Sequence, residues 1–136
     1  MKLKVGCCGF TEAQKRYFEH FPLVEIQQTF YQPPKPETAE RWRRSAPEDF
    51  VFTLKAWQLI THEPSSPTYR RLSREIPAAK RNRYGSFRPT AEVFAAWDAT
   101  REIAGIMRPP GIRSLQQPRH AGGCRALFAA DAGEGR

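Results

Sequence analysis

The amino-acid sequence predicts an α/β fold with about three parallel βα units, and three observations support that prediction. Strand-like apolar segments alternate with segments of helical periodicity over residues 2–103. Their order is strand, helix, strand, helix, strand, which is typical of parallel βαβ units with right-handed crossovers. A length of 136 residues fits one domain and is too short for a complete eight-unit α/β barrel of about 250 residues.

The first three elements lie between the N-terminus and a pair of prolines. Residues 2–8 are predicted to form a strand, and residues 12–20 a short helix with Thr11 as its N-cap. Residues 23–28 form the second predicted strand. A loop follows it, because the consecutive prolines Pro33 and Pro34 cannot continue a ladder of hydrogen bonds.

The next elements repeat this order. Pro36–Ser45 is predicted to be a helix, since a proline in the first turn loses no hydrogen bond there. Residues 50–55 form the third predicted strand, and residues 56–89 a long connection with a short helix near residues 69–74. Residues 90–103 form the clearest helix, with apolar side chains at helical spacing: Val93, Phe94, Trp97 and Ile103.

The two faces of the predicted strands differ in polarity. Val24 and Ile26 share one face of the second strand, whereas Glu25 lies on the other. In the third strand the alternation places Lys55 opposite an apolar face. A carboxylate and an ammonium are rarely buried unless paired. Polar groups that gather toward the carboxyl ends of strands fit a barrel, where helices pack outside and the active site lies at that end.

Several blocks of sequence carry a family resemblance: residues 24–31 (Val-Glu-Ile-Gln-Gln-Thr-Phe-Tyr), 36–42 (Pro-Glu-Thr-Ala-Glu-Arg-Trp), 52–55 (Phe-Thr-Leu-Lys), 60–62 (Ile-Thr-His), 6–10 (Gly-Cys-Cys-Gly-Phe) and 84–90 (Tyr-Gly-Ser-Phe-Arg-Pro-Thr). Together they resemble the domain-of-unknown-function 72 family, the YecE-like proteins, over about residues 2–105. The resemblance implies a TIM-barrel-like fold and no established activity. The sequence departs from the family pattern at Cys8, Gln27 and Gln28, where the family favours smaller residues.

Residues 105–136 differ in character from the rest of the chain. They hold six of the nine glycines, and no lysine occurs after Lys80. We therefore divide the chain into residues 1–104, the N-terminal part of a barrel-like domain, and an irregular or disordered tail at 105–136. The tail is interpreted either as a natural flexible segment or as the product of a reading-frame error. We favour the frame error, which predicts a truncated and inactive fragment.

Four residues are candidates for catalysis: Glu25, Lys55, His62 and Tyr31. Adjacent parallel strands lie about 4.8 Å apart, so Glu25 and Lys55 are placed to pair across them. The carboxylate would then serve as a general base and His62 as an acid or base near neutral pH. The alternative is a structural ion pair inside the barrel, since such pairs alone are weak signs of activity.

A second hypothesis is binding of nucleic acid or another polyanion. Residues 70–88 hold one acid, Glu75, and seven basic residues: Arg70, Arg71, Arg74, Lys80, Arg81, Arg83 and Arg88. Aromatic residues are interleaved with them at positions 69, 84 and 87, a mixture used for charge and stacking by single-strand binders. A nucleic acid or a phosphorylated ligand is the partner class that follows. A solvated charged loop is the alternative.

Cofactor, metal and membrane partners are not expected. The three cysteines (Cys7, Cys8 and Cys124) and three histidines (His20, His62 and His120) share no zinc-ligand spacing. No apolar run resembles a signal peptide or approaches the roughly 18 residues of a membrane span. A cytoplasmic protein is therefore expected. Its formal net charge is +8, and its oligomeric state does not follow from the sequence.

Overall fold

Three parallel strands form the centre of the protein in a computed structural model that describes residues 3–73 and 75–110. The strands are β1 (Gly6–Cys8), β2 (Leu23–Ile26) and β3 (Val51–Leu54), arranged in the order β1-β2-β3. Both neighbouring pairs are parallel, with Val24 of β2 opposite Cys7 of β1 and Phe52 of β3. The predicted α/β class with parallel βα units is thereby confirmed.

Helices and short 3₁₀ turns connect and follow the strands. The helices are α1 (Gln14–His20), α2 (Pro36–Ser45), α3 (Gln58–Thr61) and α4 (Ala91–Met107). The 3₁₀ segments are Gln27–Phe30, Pro67–Arg71 and Ala78–Arg83. The sequence prediction and the structure agree on both ends of α2, and α4 runs four residues beyond the predicted end at Ile103.

Three local predictions were wrong. The first strand begins at Gly6, because residues 3–5 make no ladder with β2. Thr11 does not cap α1, which begins at Gln14 behind an N-cap, Ala13, that makes no side-chain hydrogen bond. The second strand ends at Ile26, since the chain enters a 3₁₀ turn at Gln27.

The long connection at residues 56–89 also differs from its prediction. It contains α3 and two 3₁₀ segments, and the short helix expected near residues 69–74 is the 3₁₀ segment Pro67–Arg71. The backbone amides of Gly85 and Phe87 donate to the carbonyls of Leu59 and Ile60, both at 2.8 Å. The end of the connection is therefore fastened to α3.

One face of the sheet is covered by helices. Its side chains form a cluster, here called the sheet core, with α1, α2 and the C-terminal half of α4: Tyr17, Val24, Ile26, Ala39, Phe50, Phe52, Ile103 and Met107. The opposite face carries a row of partly or fully exposed side chains, Cys8, Glu25 and Thr53, which lie in register. The predicted contrast between an apolar and a polar face is confirmed. Sequential parallel strands with the helices on one face are the arrangement of consecutive TIM-barrel-like units.

A second apolar cluster, here called the connection core, lies beneath the long connection. Its members are Trp57, Leu59, Ile60, Ile76, Tyr84, Val93 and Ala96, so α4 contributes its N-terminal half here and its C-terminal half to the sheet core. Gly105 belongs to α4. The irregular tail was predicted to begin at residue 105, whereas α4 continues to Met107. Residues 111–136 of that tail, and with them the frame-error hypothesis, lie outside the described residues.

Candidate functional site

The carboxyl ends of β2 and β3 are tied together by one buried hydroxyl. Thr29 lies in the 3₁₀ turn after β2 and is almost completely buried. Its Oγ1 lies 2.8 Å from the carbonyl oxygen of Ile26 and 2.8 Å from that of Lys55. The turn is thereby held against the end of β3, and the next residue, Phe30, is placed beside Lys55.

Phe30 is the residue that brings the predicted site side chains together. Phe30 is 7% exposed as a residue, and its ring has three of these side chains as neighbours. The Nζ atom of Lys55 lies 5.3 Å from the ring centroid, within the range of a cation–π contact. The rings of Tyr31 and His62 pack edge-on against it, with centroids 5.1 and 4.9 Å away.

Glu25 joins this group through Gln27 instead of pairing directly with Lys55. In the ladder Glu25 lies opposite Thr53, and Lys55 follows the end of β3. The amide nitrogen of Gln27 donates to the Glu25 carboxylate, and its amide oxygen accepts from Lys55 Nζ at 3.4 Å. The direct ion pair expected from strand spacing is absent among the described residues.

These six residues, Glu25, Gln27, Phe30, Tyr31, Lys55 and His62, are here called the strand-end cluster. The sequence analysis selected neither Phe30 nor Gln27 as a site residue, and it treated Gln27 only as a departure from a family pattern. The signal for both was their position in the turn directly after β2, where side chains at the strand end converge. Lys55 and His62 are exposed, and Glu25 is half-buried.

His62 directly follows α3, at the rim of the cluster. Its Nδ1 lies 2.7 Å from the hydroxyl oxygen of Thr61. Its backbone carbonyl accepts the Tyr69 hydroxyl at 2.8 Å, which fixes the chain at this position. The exposed ring is accessible to a ligand or to solvent protons. Its acid–base role stays a prediction.

Tyr31 connects the strand-end cluster to the long connection. Its carbonyl accepts the indole N–H of Trp57 at 2.9 Å, and its hydroxyl accepts from Arg71 Nη1 at 3.0 Å. The Arg71 guanidinium carbon also lies 5.2 Å from the Tyr31 ring centroid. Arg71 was predicted as part of a nucleic-acid patch, and the structure places it beside the catalytic candidates.

Two other arginines of the basic segment are engaged by acids. Arg83 Nε lies 2.7 Å from Glu92, and Arg88 Nη2 lies 2.9 Å from Glu63. A hydrogen bond from Ser86, followed by the contact with Arg88, lowers the pKa of Glu63. The hydrogen bond from Arg83 likewise lowers the pKa of Glu92. These two arginines therefore hold the connection together.

The aromatic residues of this segment are poorly placed for stacking on bases. Tyr84 is buried, and Tyr69 is partly buried against the connection core. Phe87 is the exposed aromatic ring of the three. Arg70, Lys80 and Arg81 are exposed, whereas Arg74 lies outside the described residues. Nucleic-acid binding through residues 70–88 stays a prediction.

Two further observations concern the residues that the structure describes. Nowhere in residues 3–73 and 75–110 do three His, Cys, Asp or Glu side chains come together as a metal site would require. None of the helices in the same part of the chain combines the length and the apolar content needed to cross a bilayer.

Comparisons with known proteins agree with the resemblance noted in the sequence. The chain is 39% identical over 54 residues to the UPF0759 protein YunF of Bacillus subtilis (strain 168), which is 38% of this chain and 19% of that protein. It is 40% identical over 55 residues to the UPF0759 protein YecE of Escherichia coli (strain K12), which is 40% of this chain and 20% of the relative. The matches thus span about a fifth of the curated relatives.

A solved structure and a family description complete the comparison. A DUF72 family protein from Enterococcus faecalis V583 is 24% identical, with a TM-score of 0.43, covering 74% of this chain and 47% of that one. The family described as "Protein of unknown function DUF72" matches residues 9–97. Because this match extends over more than half of the sequence, the chain belongs to the DUF72 family.

Proposed function

We propose that the strand-end cluster binds a small polar ligand, and that this chain on its own binds the ligand without turning it over. The observation that carries the proposal is the convergence on Phe30. Lys55, Tyr31 and His62 come from three different segments of the chain and contact one nearly buried ring. Convergence of side chains at the carboxyl ends of parallel strands suits a binding site.

The chemistry available at the cluster is acid–base and electrostatic. One oxygen of Glu25 accepts from Gln27, and the carboxylate retains further lone pairs for a ligand hydroxyl or a proton. Lys55 supplies a positive charge about one amide group away, where it would stabilise negative charge that develops on a ligand. In a complete barrel this arrangement would support proton abstraction by Glu25, with His62 as a second acid–base group.

We infer binding without turnover from the three strands that the structure describes. Catalytic residues of barrel enzymes come from the ends of several strands, and such a barrel closes with eight. Glu25, Lys55 and His62 would therefore contact a ligand, and the three described strands alone do not close a barrel around it.

A ligand screen followed by amide ¹H–¹⁵N NMR tests the proposal. The 136-residue chain would be titrated with small polyols, amides, carboxylates and phosphate esters, and products would be sought in the same tubes. We expect hits to move the amide signals of residues 27–31 and 55–62, and no product to form. The substitutions Glu25→Gln and Lys55→Ala should weaken the binding of the ligands that the screen identifies.

The control is Arg44→Ala, which removes an exposed charge on α2, a helix that packs on the face of the sheet opposite Glu25. It should leave the affinities of all hits unchanged. Hits that bind as well to Glu25→Gln and Lys55→Ala as to the natural chain would contradict the proposal. Accumulating product would contradict the absence of turnover.

A further inference from the structure

We infer that the ligand of the strand-end cluster is a small hydroxylated phosphomonoester, and that Lys55 and Arg71 bind its phosphate group. The inference rests on the proposed function and adds the class of ligand. It also assigns a binding role to Arg71, which comes from the connection after β3 and lies outside the four catalytic candidates.

The two cations are held over neighbouring aromatic rings. Lys55 Nζ lies 5.3 Å from the centroid of Phe30, and the Arg71 guanidinium carbon lies 5.2 Å from that of Tyr31. The two rings are themselves only 5.1 Å apart. Stacking on a ring restricts a long, flexible side chain before any ligand arrives, which lowers the entropy cost of binding.

Neither cation is neutralised by a carboxylate among the residues that the structure describes. The ion pairs found there engage Arg16, His20, Arg44, Arg83, Arg88 and Arg101. Lys55 Nζ donates to the neutral amide oxygen of Gln27, and Arg71 Nη1 donates to the hydroxyl of Tyr31. Two uncompensated charges that are positioned over adjacent rings favour an anionic ligand.

The remaining donors suit a phosphate. Arg71 uses one Nη1 hydrogen bond on Tyr31, so the rest of its planar fork remains available to phosphate oxygens. Lys55 makes a long hydrogen bond of 3.4 Å to Gln27, which a phosphate oxygen would replace with a shorter, charge-assisted one. Both side chains are exposed and accessible.

A second contact holds the long connection close to Tyr31. The hydroxyl of Ser73, two residues after Arg71, donates at 2.8 Å to the side-chain oxygen of Gln32, which directly follows Tyr31. Arg71 is thus held beside Tyr31 by its own side chain and by the contact of Ser73 with Gln32. The site combines one cation from the end of β3 with another from the following connection.

Glu25 supplies the other half of the specificity. Its carboxylate lies on the far side of Gln27 from Lys55, so it would repel a second anionic group and accept a hydrogen bond from a hydroxyl. A ligand that fits both ends carries a phosphate at Lys55 and Arg71 and a hydroxyl at Glu25. Glycerol phosphate is the simplest probe of that chemistry.

Calorimetric titration of the 136-residue chain with glycerol phosphate and with inorganic phosphate tests the inference. We expect Lys55→Ala and Arg71→Ala each to lower the affinity for glycerol phosphate by about tenfold, because each removes a charge-assisted hydrogen bond. The control Arg70→Ala should lower this affinity by less than about twofold. Arg70 is the matched control because it is exposed, adjacent in sequence and outside the stacked pair. Circular dichroism would verify folding of each variant.

Other outcomes separate this inference from the proposed function. An Arg70→Ala loss equal to that of Arg71→Ala would indicate diffuse attraction and overturn it. Tighter, steeply salt-dependent binding of a single-stranded oligonucleotide would overturn it in favour of a nucleic acid. Absence of phosphate binding, with uncharged polyols still moving the signals of residues 27–31, would overturn it and leave the proposed function intact. Absence of any ligand at the cluster would overturn both.

Discussion

Gly85 occupies a position that only glycine fits without strain, and it lies beside the candidate site. Its φ is +77°, and an added Cβ would lie 2.0 Å from the carbonyl oxygen of His62. Its amide donates to Leu59 at 2.8 Å, which fastens the connection to α3. We expect Gly85→Ala to lower the free energy of unfolding by about 2 kcal/mol or more, measured by urea denaturation.

Gly105 provides the matched control for that substitution. It lies within α4, and an added Cβ would meet no atom within 4 Å. Gly105→Ala should therefore raise the free energy of unfolding by about 0.5–1 kcal/mol, because alanine favours the helix. Similar losses of stability in both variants would show that Gly85 is not specially constrained.

At the scale of single residues, alternation along the strands correctly placed Glu25 on the face away from the helices. It did not reveal how Glu25 meets Lys55. That geometry depends on the early end of β2 at Ile26 and on the turn that carries Gln27 between the two side chains. Turns of this kind are set by tertiary contacts, here the buried hydroxyl of Thr29, which no periodicity encodes.

At the scale of elements, α4 is the helix whose start is most clearly determined by one side chain. Thr90 is its N-cap, and its Oγ1 accepts from the amide of Val93 at 3.3 Å and donates to the carbonyl of Arg83 at 2.6 Å. Thr90→Ala should lower the free energy of unfolding by about 1 kcal/mol, the usual loss when a cap is removed.

Thr90→Ser is the control for the capping role. Serine retains the hydroxyl and caps helices at least as well as threonine. The free energy of unfolding of the Thr90→Ser variant should therefore stay close to that of the natural chain. Equal destabilisation by alanine and serine would indicate that packing of the threonine methyl group matters, and not the cap.

The elements differ in how well the sequence determines them. α2 has a proline at its start and an amphipathic pattern of ten residues, and its bounds were predicted correctly. Residues 56–89 were predicted only as a long connection. Their short α3 and 3₁₀ segments are too brief to show a period and are held by the contacts of Gly85 and Phe87 with α3.

At the scale of the whole molecule, α4 links two apolar clusters that the rest of the chain keeps apart. Ile103 and Met107 belong to the sheet core, and Val93 and Ala96 belong to the connection core. α2 and α3 both pack against the same helix. The sheet and the connection therefore share one rigid element, although β1 and β3 each pair on one side only among the described residues.

This shared helix predicts a single cooperative unfolding transition for both clusters. Trp42 packs against the sheet core and Trp57 belongs to the connection core, so their indole N–H signals report on the two separately. Ile26→Ala in the sheet core and Leu59→Ala in the connection core should each lower the free energy of unfolding by about 2–5 kcal/mol. In either variant both signals should disappear at the same urea concentration, because melting one cluster removes one half of α4's packing and frays the other. Separate midpoints for Trp42 and Trp57 would show that α4 does not couple the clusters, and that the candidate site at the carboxyl ends of β2 and β3 folds independently of the connection that supplies Arg71.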